Sequence, residues 1–167
     1  MQSLLSEFQI YERGRAKAYL EKKGCMAECI EYAANVDVIR HGKTYTPTPD
    51  AGVTCIALPV YDGGDIVDIV AWSPTDPLKW YTRRGTDSVL GAYDLQQAIV
   101  YRTPLKVYPS PCQWLTHGMV GCVPLTTDSM SKFMGVIEID TSHELYEKII
   151  AQLQLSYPTP KLVKDGK

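Results

Sequence analysis

Two carboxylates near the end of the chain, Asp140 and Glu144, are the groups best placed for reaction chemistry. Asp140 follows Val136 to Ile139, a stretch expected as a strand. That is where a parallel strand of an α/β fold presents ligand or metal groups. A hard divalent cation takes two or more carboxylates. Glu144 lies close by, but Thr141-Ser142-His143-Glu144 has capping-box spacing, which would commit Glu144 to the start of a helix. An ordinary polar strand end is therefore the favoured reading of Asp140, and Asp140 is only a weak candidate metal ligand. No cofactor is expected unless the site is active, in which case magnesium is.

A second set is Lys79, Trp80, Arg83 and Arg84 in Leu78 to Gly85, LKWYTRRG. Cations beside aromatic rings suit a single nucleic-acid strand, with charges on phosphates and rings on bases. The plainer reading is an edge strand whose basic residues discourage aggregation. Lys161 and Lys164 add cations near the end of the chain.

The cysteines offer less. Cys112, His117 and Cys122 match three of the four ligand positions of a zinc knuckle, but the missing position falls at Pro109, which cannot bind zinc. Packing is favoured there, and also for Cys25 and Cys29. Cys112 with His117 as a nucleophile and base lacks an orienting third group, and the two residues would not share a helix face well.

The elements that must position these groups are set by periodicity and turn residues. Residues 3 to 23 read as helical, with room for a break at Gly14 and a stop at Gly24. A second helix is expected from Met26 to Ala34, and a loop from His41 to Gly52. Val53 to Val60 and Ile66 to Trp72 flank Asp62-Gly63-Gly64-Asp65, so they predict a hairpin. Lys79 to Arg84 is a short edge strand, and Asp94 would cap a helix through Val100. From Leu105 onward the pattern alternates strand and helix. Ser110 and Pro111 start one helix, and Thr141 starts another that runs to Leu153. A short final strand closes this alternation. The fold expected is α/β. An N-terminal α+β subdomain, residues 1–103, precedes a mostly parallel sheet with flanking helices in residues 104–167.

The chain has 167 residues, 45% of them apolar and 22% charged, which is ordinary for a globular protein with a compact core. A net charge of -2 gives no global pull towards nucleic acid or anionic membranes, so such binding needs a local patch. No apolar run approaches the roughly 20 residues that span a bilayer. The N-terminus lacks a signal-peptide pattern. A cytoplasmic location without membrane partners is the default expectation. Five cysteines, an odd number, point to free thiols over a disulfide framework.

The order of features resembles the catalytic core of bacterial and phage primases, built around a toprim domain. Arg15 to Gly24 followed by Glu28-Cys29-Ile30 looks like the helical opening of that core. Ile56 to Val67 looks like its I-x-x-P-V-x-D-x-x-G-x-I-V hairpin. Lys79-Trp80-Tyr81 to Leu90-Gly91 looks like the stretch after that hairpin in the family. The last third has the toprim alternation, and Pro158 to Lys167 looks like the segment that closes many such domains.

The family's metal carboxylates are mostly missing. The resemblance sets Pro109 where toprim domains carry a glutamate, and Ser142 where they carry the second aspartate, leaving Asp140. Those carboxylates hold the magnesium ions of phosphoryl transfer. The resemblance thus implies a non-catalytic primase-like protein of a phage or mobile element. Its expected partner is single-stranded nucleic acid or a replication protein, with the oligomeric state left open. An active magnesium-dependent primase or nuclease using Asp140, Glu144 and Asp128 is one alternative. A protein-interaction module that inhibits a host factor is the other.

Overall fold

The structure, a computed structural model, describes residues 3–50 and 52–156. The segment Pro158 to Lys167, the final strand expected there, Lys161 and Lys164 lie outside the described residues. The elements are α1 (Leu4–Gln9), α2 (Gly14–Lys22), α3 (Ala27–Tyr32), β1 (Ala34–His41), β2 (Thr44–Pro47), β3 (Val53–Asp62), β4 (Asp65–Ser73) and β5 (Asp76–Thr82). Next come β6 (Val89–Leu90), α4 (Ala92–Tyr101), β7 (Leu105–Lys106), α5 (Pro111–Thr116), β8 (Val123–Pro124), a 3₁₀ turn (Asp128–Phe133), β9 (Ile139–Asp140) and α6 (His143–Ser156).

The hairpin expected at Asp62-Gly63-Gly64-Asp65 is present between β3 and β4. Gly63 and Gly64 both have positive φ, the conformation a tight two-residue hairpin loop requires. β3 and β4 then pair from Asp62 and Asp65 back to Ile56 and Trp72. Both strands are buried on both faces. Cys55, Ala57, Ile69 and Ala71 pack with Leu4, Phe8 and Tyr11, which α1 and the residues after it supply. Ile56, Leu58, Val60, Val70 and Trp72 pack with α2, α3, α5 and the β6–β8 pair. The near-continuous apolar run of each strand follows from that double burial.

Five strands close a barrel in the order β1-β2-β5-β4-β3. All its pairings are antiparallel except β2 with β5, which touch in parallel at Thr44 and Thr82. This corrects two expectations. β1 and β2 form a hairpin that takes in Ala34, the expected helix end, and His41 to Pro47 of the expected loop, turning at Gly42 with φ 64°. β5 runs from Asp76 to Thr82, not from Lys79 to Arg84, and on its second side only Thr82 is paired, which leaves the rest of the strand an edge.

The last third is α/β, but it does not form the continuous parallel sheet expected. β7 pairs with β9 in parallel, Val107 bridges Cys122 in parallel, and β6 pairs with β8 antiparallel. Each of these strands is two residues long. Pro104, Pro109 and Pro124 lack the N–H that longer ladders would need. Val89, Leu95, Ala98, Leu105, Val107, Phe133, Leu145 and Ile149 make a core of their own. The larger core beneath β3 and β4 draws on residues from both sides of position 104.

Two helix starts also differ. α6 is capped by Ser142, whose Oγ accepts from the Leu145 N–H at 3.3 Å. Thr141 instead donates its hydroxyl to the Val107 carbonyl at 2.7 Å, tying the turn to the end of β7. Glu144 is thereby released from capping. α4 starts after Gly91, and Asp94 accepts from the Gly121 N–H at 2.6 Å, clamping the turn before β8.

Candidate functional site

A groove of about 870 Å³ runs between the barrel and the last third. Its barrel wall is the β1–β2 turn with Lys43 and, from β5, Lys79, Trp80 and Tyr81. The opposite wall carries Tyr108 and Pro109 after β7, the turn Thr126 to Asp128, and Ser142, Glu144 and Lys148 at the start of α6. The strand β5 positions the first set through its ladder with β4. The Ser142 cap and the Thr141 tie position the second.

The groove is electrically mixed. Lys43, Lys79 and Lys148 face Asp87, Asp128 and Glu144. Lys148 pairs with Glu144 at 3.0 Å, and Lys79 lies 3.9 Å from Asp76 outside the groove. Both pairs are exposed, so water and salt screen them and each lysine is available to a ligand at little cost.

The residues singled out from the basic stretch separate into different roles. Lys79 is exposed in the groove wall. Trp80 is half-buried, and its indole N–H donates to the Leu125 carbonyl at 3.0 Å, joining β5 to the segment after β8. Arg83 turns away to α1, where Nε donates to Glu7 Oε1 at 2.8 Å. Its side chain is 32% exposed and that of Glu7 only 12%. Burial works against the Arg83 cation, yet the hydrogen bond and charge of Glu7, with Tyr11 and Tyr45 behind it, hold it above the ordinary arginine value. Tyr11 donates to the same Glu7 oxygen at 2.8 Å and meets the Tyr45 hydroxyl at 3.2 Å. Arg84 is exposed beside Gly85, which lines the groove.

One functional support escaped the sequence reading. Asp68 is fully buried in β4. Its Oδ1 accepts from the N–H groups of Ile69 and Arg84, at 2.8 and 2.9 Å. Its Oδ2 accepts from the Thr86 N–H at 3.0 Å and the Thr86 hydroxyl at 2.7 Å. A carboxylate inside a barrel is tolerated because every bond is charge-assisted. It fixes the backbone from Arg84 to Thr86 at the edge of the groove. The signal was a lone acid in the apolar run IVDIVAW.

Asp140 is 68% exposed and lies 3.4 Å from Lys106, and it is not part of the groove wall. Glu144 and Asp128 are. Among the described residues no three His, Cys, Asp or Glu side chains gather as a metal site would require. His117 donates from Nδ1 to the Gln113 carbonyl at 2.7 Å and stacks on Tyr108 at 5.1 Å between centroids. Cys122 is buried, and burial pushes the Cys112 thiol up, the opposite of nucleophile activation.

Comparison of the chain with family models, curated proteins and solved structures gave no match. The described residues contain no helix long and apolar enough to cross a membrane.

Proposed function

We propose that the chain is a primase-like protein that does no catalysis, and that it holds single-stranded nucleic acid or a replication protein in the groove beside β5. The observation that carries this reading is spatial. Pro109 and Ser142 are far apart in sequence, and the primase resemblance alone assigned them to two missing metal carboxylates. Both line one groove, opposite Lys79, Trp80 and Tyr81. A scaffold once built for phosphate chemistry would keep that arrangement after losing its acids.

In this reading Lys43 and Lys79 meet phosphates along the barrel wall, and Arg84 extends the track past Gly85. Trp80, held in the groove wall by its bond to Leu125, stacks on a base. The Tyr81 ring carries the Arg40 guanidinium at 4.9 Å from its centroid, so Arg40 lies beside the same track. An active magnesium-dependent enzyme would need Asp140 to join Glu144 and Asp128, and Asp140 pairs with Lys106 elsewhere.

The test is single-stranded DNA affinity measured against salt for Lys43→Ala combined with Lys79→Ala. Each lost phosphate contact should make the salt slope shallower by about 0.7. An affinity and slope equal to those of the parent protein would rule the groove out as the binding track.

A further inference from the structure

A second pocket, of about 390 Å³, lies on another part of the surface, between the β3–β4 turn and the start of α4. Its volume falls within the roughly 300–1,000 Å³ typical of small-molecule sites. Its walls hold the rings of Tyr32, Tyr61, Tyr93 and Trp114, with the carboxylates Asp62 and Asp94. No lysine or arginine lines it, among the described residues.

Three of the rings pack against one another. Tyr32 stands tilted against Tyr61 at 6.2 Å and 52°, and edge-on to Trp114 at 6.4 Å and 61°. Centroids this close are ring-on-ring contacts, so Tyr32, Tyr61 and Trp114 form one continuous aromatic wall of the pocket. The walls are rigid at the back, because the Trp114 indole N–H is bound to the Gly121 carbonyl at 2.9 Å and Asp94 is bound to the Gly121 N–H. Tyr61 and Tyr93 are exposed at the rim.

The lining chemistry selects the guest. Ring faces are negative and so attract cations. Two carboxylates with no opposing cation repel phosphates and carboxylates, which excludes the nucleic-acid backbone. A neutral aromatic guest would gain nothing from the carboxylates. A compact ammonium ion is strongly hydrated and resists entering an aromatic site, whereas a methylated ammonium spreads its charge over apolar methyl groups. We propose that this pocket binds a small quaternary-ammonium molecule. It stands apart from the groove beside β5 and does not depend on it.

Calorimetric titration with choline, set against its neutral isostere 3,3-dimethylbutan-1-ol, tests the assignment on the full chain. Choline should bind about tenfold more tightly than the alcohol, because only the charge differs. Tyr61→Leu and Asp62→Asn should each weaken choline about threefold to tenfold, with circular dichroism and DNA affinity unchanged. Both residues are exposed at a hairpin tip, so these variants fold, and Tyr93→Leu provides an independent rim variant. Equal binding of choline and the alcohol, no choline binding, or indifference to all three variants would overturn the proposal. Tighter binding of a trimethyllysine peptide than of choline would replace the small molecule with a modified protein tail.

Discussion

Arg83 and Glu7, 76 positions apart in the chain, meet through Nε and Oε1 at 2.8 Å. The contact joins the end of β5 to α1, and Tyr11 and Tyr45 extend it into the barrel interior. One cation of the basic stretch is therefore taken up by the fold, while Lys79 of that stretch lines the groove with Lys43.

Arg83→Ala should consequently lower stability by about 2 kcal/mol, because it strands a largely buried carboxylate. Urea denaturation reads the loss. Single-stranded DNA affinity and its salt slope should stay at parental values in the folded protein. A shallower slope with unchanged stability would mean that Arg83 leaves Glu7 and meets phosphate.

Asp68→Asn should cost about 3 kcal/mol, since the amide nitrogen cannot accept the bonds that one carboxylate oxygen takes from Thr86 or from Ile69 and Arg84. Hydrogen exchange should speed up at the Arg84 and Thr86 amides first. Unaltered protection there would show that the loop beside the groove is held by something else.

Elements set by local chemistry were legible in the sequence. The β3–β4 hairpin rests on two glycines at positive φ, and α5 on the Ser110 cap, whose Oγ takes the Gln113 N–H at 3.2 Å. Barrel closure was not legible, because it depends on one parallel pair between Thr44 and Thr82. Nothing near either residue announces the other. The β1–β2 hairpin was hidden for a related reason: the prolines and threonines after Gly42 read as loop, although only tertiary pairing decides their state. The Glu144 role was misread because Thr141 and Ser142 are both good caps, and the Val107 carbonyl claims Thr141. Within the groove, the cationic wall was visible as a run, but the diversion of Arg83 to Glu7 was not.

The alkaline limb of stability should carry a Cys55 signature. Burial pushes this thiol from near 9 up to about 11, with the Arg40 cation only partly pulling it back. Between those values the unfolded chain has lost the proton and the folded chain keeps it. Unfolding then releases a proton, so stability falls as pH rises through the window. Cys55→Ala should make that fall shallower by about 1.4 kcal/mol per pH unit, whatever its effect at neutral pH. Cys122, which burial and then Asp94 push up further, remains in both proteins and steepens the limb of each alike, through the window and above it. Parallel limbs for parent and variant would refute the assignment.

Placing acids at Pro109 and Ser142, where the proposed primase likeness would have them, is the most direct test of that reading. Pro109 is exposed, and Ser142 caps α6 in a role that aspartate fills equally well. Pro109→Glu with Ser142→Asp should therefore fold. The pair would add two carboxylates to a groove already holding Glu144 and Asp128. Hard divalent cations bind where several carboxylates converge. The double variant should accordingly bind manganese, read by the broadening of its paramagnetic resonance, while each single variant binds it more weakly. Glu144→Gln in the double-variant background should then abolish the effect, since it removes a carboxylate that capping leaves free. Should the double variant bind manganese no better than the parent protein, Pro109 and Ser142 do not stand where a primase-type centre once held its metal, and the primase-like reading of the groove falls with them.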